Sequence, residues 1–198
     1  MYVRIISPSY ILSHMHFEKY CKSCSRDTHC CVFTKERGFT FVGISDAKNI
    51  QKQTGKEFHE FLEYSPLPAR LKKELKEEDP FLEGGLRFRE LDKQNRILRL
   101  KKQNNGDCIF LKKGKCSIYP FRPHICNIYP FWAVRLLDES ITVVGHDPIP
   151  SCPIVKGMRK EKKTLSKQQQ AKIIIIFKEI EKETKEYKKK ITQFVKRL

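Results

Sequence analysis

The chain has 198 residues, enough for one domain with an ordinary core, and it carries 39% apolar and 32% charged residues. No stretch approaches the ~20 apolar residues that span a bilayer as a helix, so no transmembrane helix is expected, and eight cysteines are too sparse for a small disulfide scaffold. The formal net charge is +17 and uneven: residues 156–198 hold fifteen Lys/Arg against five Asp/Glu, so the C-terminal segment is strongly basic and the rest only mildly so.

Residues 1–16 read as an N-terminal tail. They include no continuous apolar stretch followed by a small-residue cleavage site, so no secretory signal is expected there. A cysteine-rich opening follows, with Cys21, Cys24, Cys30 and Cys31. Phe39-Thr-Phe-Val-Gly-Ile44 has the β-branched and aromatic content of a strand. Ser45 is placed to cap a helix running to about Glu63, with Ile50, Phe58, Phe61 and Leu62 as its apolar members and Gly55 as a weak point. A second short helix is expected over Ala69 to Glu78, ended by Asp79-Pro80. Alternation between Leu86 and Leu100 predicts two strands joined near Asp92–Asn95.

Asn104-Asn105-Gly106-Asp107 is a turn. Cys108–Leu111 and Cys116–Tyr119 flank Lys112-Lys113-Gly114-Lys115, which predicts a tight hairpin that sets Cys108 near Cys116. Trp132–Leu137 and Ile141–Val144 predict another. Pro148 and Pro150 mark a loop leading to Cys152. After Ser166, a candidate N-cap, there is neither proline nor glycine. Ile173, Phe177, Ile180, Thr184, Tyr187, Ile191, Phe194 and Leu198 then recur in steps of four and three, the stripe of one long amphipathic helix. That stripe suits docking on the body or on a partner chain. The lysine-rich faces leave a protein or nucleic-acid contact open.

The expected fold class is therefore α+β: a small irregular domain organised by metal, with short hairpins and helices, plus the long C-terminal helix. The expected boundaries are 1–16 for the tail, 17–158 for the cysteine-cluster domain and 159–198 for the basic helix.

The chemistry lies in the cysteines. Without an export signal the expected compartment is reducing and cytoplasmic, which favours metal-binding thiolates over disulfides. Cys21-x-x-Cys24 can bring two sulfurs to one ion. Adjacent Cys30 and Cys31 diverge in extended chain, so they suggest two metals, or a cluster plus a structural thiol. Cys116-Ser-Ile-Tyr-Pro-Phe121 returns as Cys126-Asn-Ile-Tyr-Pro-Phe131. Each copy carries an Ile, an aromatic and a residue that the following proline pushes toward extended backbone, so the repeat is expected to give two sulfurs the same rigid setting. Pro123 suits the first turn of a short helix carrying Cys126. Arg122 lies between the copies, where its guanidinium would stabilise an anionic thiolate centre and tune a redox potential. His29, His124 and His146 read chiefly as polar neighbours of the thiols.

Taken together, Cys21-x-x-Cys24…Cys30-Cys31, Cys108-Ile-Phe-Leu…Gly114-Lys-Cys116-Ser-Ile-Tyr119…Arg122-Pro123…Cys126…Tyr129-Pro130-Phe131 and Cys152-Pro153 resemble the YkgJ-type cysteine-cluster family. Its domain is described as zinc- or iron-chelating, with eight characteristic cysteines. The resemblance covers about residues 17–158 and implies Cys21, Cys24, Cys30, Cys31, Cys108, Cys116, Cys126 and Cys152 as metal ligands. Tyr119, Arg122 and His124 are the candidate residues around the bound group. Two departures stand out. The gap from Cys24 to Cys30 is longer than in many members, and Asn127 occupies a position where arginine commonly follows the cysteine.

Members are often labelled iron–sulfur oxidoreductases, and a related cysteine cluster occurs in the flagellin lysine methylase. The resemblance thus implies an iron–sulfur cluster, of the 4Fe–4S type, with redox or cluster-assisted enzymatic chemistry. Soft thiolates without histidine partners also suit iron–sulfur clusters. The alternative is a structural zinc module whose basic helix contacts nucleic acid or an acidic protein. No Gly-rich dinucleotide fingerprint accompanies the cysteines.

Overall fold

The computed structural model describes residues 31, 40–66, 96–136, 138–145, 152–161, 163–196 and 198. The expected helix over residues 69–78, the partner strand near residues 86–91, and Cys21, Cys24, Cys30, His29 and His146 lie outside the described residues.

The first helix, α1, spans Ile44–Thr54 and stops at Gly55, whose φ of 68° is left-handed. A left-handed C-terminal residue closes a helix cheaply only when it lacks a Cβ. The expected continuous helix to Glu63 is therefore broken. A four-residue helix α2 (Phe58–Phe61) follows, opened by a capping box between Glu57 and Glu60. Leu62 then enters strand β1 (Leu62–Pro66), which the 3.6-residue apolar spacing had hidden. Ser45 is not the N-cap of α1; that position is Gly43.

β1 pairs antiparallel with β2 (Arg96–Leu100), from Leu62 opposite Leu100 to Pro66 opposite Arg96. The segment expected as a strand at 39–44 contributes an isolated bridge from Phe41 to Arg99. It is fixed there by Val42 N–H donating to Leu98 O at 3.2 Å and Leu100 N–H donating to Thr40 O at 3.1 Å. Ile97, Leu98 and Leu100 of β2 are buried.

β3 (Leu111–Lys112) and β4 (Lys115–Cys116) form the expected tight hairpin, with Leu111 opposite Cys116. Lys113 (φ 49°) and Gly114 (φ 72°) give two successive left-handed residues, as a two-residue primed turn requires. A 3-10 turn over Tyr119–Phe121 and helix α3 (His124–Ile128) follow. β5 (Phe131–Arg135) and β6 (Ile141–Gly145) form the second expected hairpin. Helix α4 (Pro153–Lys160) begins with proline in its first turn directly after Cys152. It was not expected from the sequence. α5 (Lys167–Val195) is the long helix, and Ser166 caps it in a box with Gln169.

The apolar residues gather in two clusters, and α5 runs along both. Ile173, Ile176 and Phe177 pack with Ile128, Ala133, Cys152 and Ile154. Farther along, Tyr187, Ile191 and Phe194 pack with Ile44, Ile50, Phe58, Phe61, Leu98 and Phe110. Phe194 and Phe58 meet with ring centroids 4.7 Å apart. The stripe read from the sequence is thus the surface that docks α5 on the body.

Polar contacts fix the register of that docking. Tyr187 Oη accepts the Leu98 N–H at 3.1 Å. Arg135 on β5 forks onto Glu181, with Nε at 3.1 Å and Nη2 at 2.5 Å from its two carboxylate oxygens. Glu183 accepts the Ser45 N–H and hydroxyl, both at 2.6 Å, and so places negative charge on the N-terminus of α1. Gly43 makes room for it: a Cβ there would lie 2.4 Å from Glu183 Oε2.

Candidate metal centre

Cys108 is held by a scaffold of main-chain and amide contacts. Asn105 and Asp107 close the turn before it, and the Asp107 carbonyl accepts the Gln103 N–H at 2.7 Å. The Gln103 side-chain amide donates to both Cys108 O and Leu111 O at 2.8 Å, tying together the two ends of the cysteine-bearing loop. Ser117 N–H and Oγ–H both donate to Phe110 O, at 2.9 and 3.0 Å. These contacts leave Cys108 buried at 4% exposure, with Cys31 and Cys116 packed against the same apolar cluster.

Cys31, far away in the chain, contacts the loop that carries Cys108 and Cys116. Cys108 N–H donates to Cys31 O at 2.7 Å. The Cys116 thiol is hydrogen-bonded with that of Cys31, and this contact is the main reason that its pKa falls to about 7; burial opposes the shift, while the Ile118 main chain and the Arg122 charge reinforce it. A thiol with that pKa is substantially thiolate near neutrality, the form that binds metal. The five described cysteines are outside disulfides. Among the described residues, no three Cys, His, Asp or Glu side chains form a group able to hold a metal ion. Cys31 thus touches both of the others, Cys108 through the main chain and Cys116 through its thiol, and it is continuous in sequence with Cys30, which lies outside the described residues along with Cys21 and Cys24.

The repeated phrase gives its two cysteines different settings. Cys116 ends strand β4, and Tyr119 sits in a 3-10 turn rather than extended chain. Cys126 sits in helix α3, and Tyr129 (φ −57°, ψ 136°) is extended before Pro130. The difference follows from what precedes each copy: a hairpin that fixes Cys116 by strand pairing, and Pro123, which starts a helix. Pro123 is the N-cap of α3 and not its first helical residue. What the copies share is an anchor. Ile118 and Phe121 pack into the cluster that contains Cys108. Ile128, Tyr129 and Phe131 pack into the one that contains Cys152. The phrase spans the two cores, with α3 and Cys126 between its anchors.

Arg122 is locked in that span. Its Nε donates to Asn127 Oδ1 at 2.7 Å, and Asn127 Nδ2 donates back to Arg122 O at 3.0 Å. The guanidinium lies 4.1 Å from the centroid of the Tyr119 ring, a cation–π distance. Asn127 is buried and clamps Arg122 in place; an amide can both accept and donate there, as a guanidinium cannot.

His124 opens α3 beside Asp46 of α1. Its Nδ1 lies 2.7 Å from Asp46 Oδ1, and its Nε2 lies 3.3 Å from Glu179 Oε2 on α5. The His124 N–H also donates to both Asp46 oxygens at 3.2 Å. Burial acts to lower the His124 pKa, but the hydrogen bond and charge of Asp46, with the charges of Glu179 and Glu183, raise it to about 9. An imidazolium engaged by carboxylates through both nitrogens has no lone pair for an ion. The geometry thus makes His124 a polar strut between three helices. Asp46 was missed by sequence reading, although a carboxylate beside Ala47 on the buried face of α1 was its signal.

Cys152 directly precedes α4, buried at 5% exposure beside Ile154 in the second cluster.

The structure is a mixed α+β body with five described cysteines outside disulfides, two of them buried and one acidified by a neighbouring thiol. The CxxCxxCC family model, described as a putative zinc- or iron-chelating domain, matches residues 20–172. The chain belongs to this family. No solved structure matches the fold. Among the described residues no helix is long and apolar enough to cross a membrane.

Proposed function

We propose that the cysteine set Cys21, Cys24, Cys30, Cys31, Cys108, Cys116, Cys126 and Cys152 supplies the thiolate ligands of an iron–sulfur centre of the 4Fe–4S type, four of the eight serving any one cluster. The observation that carries this reading is the contact of the Cys31 thiol with that of Cys116, whose pKa is drawn down to about 7, beside the main-chain bond from Cys108 to Cys31. Soft thiolates, with His124 withdrawn into carboxylate contacts, suit iron–sulfur chemistry better than a mixed Cys/His zinc site. Arg122, braced by Asn127 and Tyr119, supplies positive charge to the anionic centre. Tyr119 shields one side of that guanidinium.

The cluster, when bound, would supply one-electron redox chemistry or Lewis-acid assistance to a bound substrate. The residues of the chain itself hold the thiolates in place and compensate their charge. The natural setting of such a centre is a reducing, cytoplasmic compartment. In this reading residues 17–158 supply the cysteines, and residues 159–198 supply the helix that packs along them.

The test is an absorption spectrum of protein purified anaerobically. Thiolate-to-iron charge-transfer absorption near ~400 nm, bleached by a reductant, is expected. Colourless protein with stoichiometric zinc would replace this reading with the zinc module.

A further inference from the structure

The solvent side of α5 carries a pattern that docking does not explain. Lys178, Lys182, Lys185, Lys189 and Lys196 are all exposed. At about 100° per residue they fall within an arc of roughly 60°, opposite the face that bears Ile173, Phe177, Tyr187 and Ile191. From Lys178 to Lys196 the row is about 27 Å long at ~1.5 Å per residue. Among the described residues none of the five forms an ion pair.

The glutamates of α5 are turned elsewhere. Glu179 faces His124, Glu181 takes the Arg135 fork and Glu183 caps α1. Glu186 is paired with Lys190. Each acidic group of the helix is thus committed, three of the four to the body. The outward ridge is left cationic along its length, on a helix whose position is fixed at both ends by core packing.

We propose that this lysine ridge binds the phosphate backbone of a nucleic-acid duplex without reading its sequence. A rigid, straight row of ammonium groups matches a long rigid polyanion, and a helix has the diameter to lie in or along a groove about 12 Å wide. The row holds neither arginine nor aromatic side chains for base contacts, so affinity comes from counterion release. An anionic membrane fits less well: the apolar face of α5 is used in the core, and among the described residues Ile175 is its one large exposed apolar side chain. The inference is independent of the metal reading.

The test is fluorescence anisotropy of the full-length protein with labelled mixed-sequence duplexes of about 20 base pairs, one DNA and one RNA, titrated between about 50 and about 200 mM salt. Up to five phosphate contacts predict a slope of log K against log salt of about −3 to −4.5 at ~0.9 per contact on DNA. The variant Lys182→Gln, Lys185→Gln, Lys189→Gln should make the slope shallower by about 2 to 3. Its circular dichroism and metal content should be unchanged, because these side chains face solvent. A charge-matched control, Lys48→Gln, Lys52→Gln, Lys160→Gln, should leave the slope close to that of the wild type. Preference for DNA or RNA identifies the natural duplex, and equal binding supports the shared backbone chemistry. Equal effects of the two triple variants, no binding to either duplex at the lowest salt, or binding only to anionic phosphatidylserine vesicles would each overturn the proposal.

Discussion

Asp46 and His124 join two helices through three contacts: one carboxylate sits 2.7 Å from the ring Nδ1 and accepts the backbone N–H of the same histidine. Because α3 carries Cys126 two residues later, this pair sets where that sulfur-bearing helix starts.

The pair makes stability depend on pH in a defined direction. His124 titrates near 6.5 when unfolded and near 9 in the fold. The raised value means that folding is favoured by proton binding: the full contribution is present below pH 6.5 and is lost as pH rises through about 9. At ~1.4 kcal/mol per unit the loss is on the order of 3 kcal/mol. Urea unfolding of wild type and His124→Gln across this range checks it; the wild-type decline should be much flatter in the variant.

Gly43→Ala should destabilise the fold by about 0.5–2 kcal/mol, the usual cost of a lost helix cap, because the Glu183 carboxylate is the end of a flexible side chain and can swing away. Its Cβ would displace the Glu183 carboxylate from the N-terminus of α1. Thermal melts of Gly43→Ala and Gly43→Ala/Glu183→Ala separate the clash from the lost cap: the second change should cost little once the first is present.

Tyr187→Phe removes the acceptor for a buried main-chain N–H on β2 and should cost about 1–3 kcal/mol. Ile173→Ala and Ile191→Ala, one in each apolar cluster, should each cost about 2–5 kcal/mol. Denaturant midpoints measure all three. Deleting residues 167–198 exposes both clusters, so the truncated chain should lack a cooperative unfolding transition.

Arg122→Ala should raise the Cys116 thiol pKa, since the guanidinium is one of the groups holding it down. Rates of thiol alkylation in metal-free protein as a function of pH report this directly. In loaded protein most metal should remain, with a shifted reduction potential. An Asn127→Ala variant should move both quantities in the same direction but less, because it loosens Arg122 without removing its charge.

The sequence disclosed the parts of the fold with short-range causes. The α5 stripe, its Ser166 cap and both hairpins rest on periodicity and turn residues within a few positions of each other. β1 was hidden because Phe58, Phe61 and Leu62 also fit a helical face, and only Gly55 in left-handed backbone separates the two. The Cys116 and Cys126 phrases look alike as strings, yet strand pairing claims one and a proline-started helix the other. Asp46, Glu183 and the Tyr187 hydroxyl act across 78, 138 and 89 residues of chain, respectively, and local patterns carry no signal over such separations.

The central claim is that convergent thiolates hold iron with sulfide. The most direct measurement is the iron, zinc and acid-labile sulfide content of anaerobically isolated wild type beside Cys116→Ser and Cys126→Ser. Iron and sulfide in equal amounts in the wild type, falling together with folding stability in both variants, is the predicted result. Zinc without sulfide, or metal loading unchanged by either substitution, would contradict it.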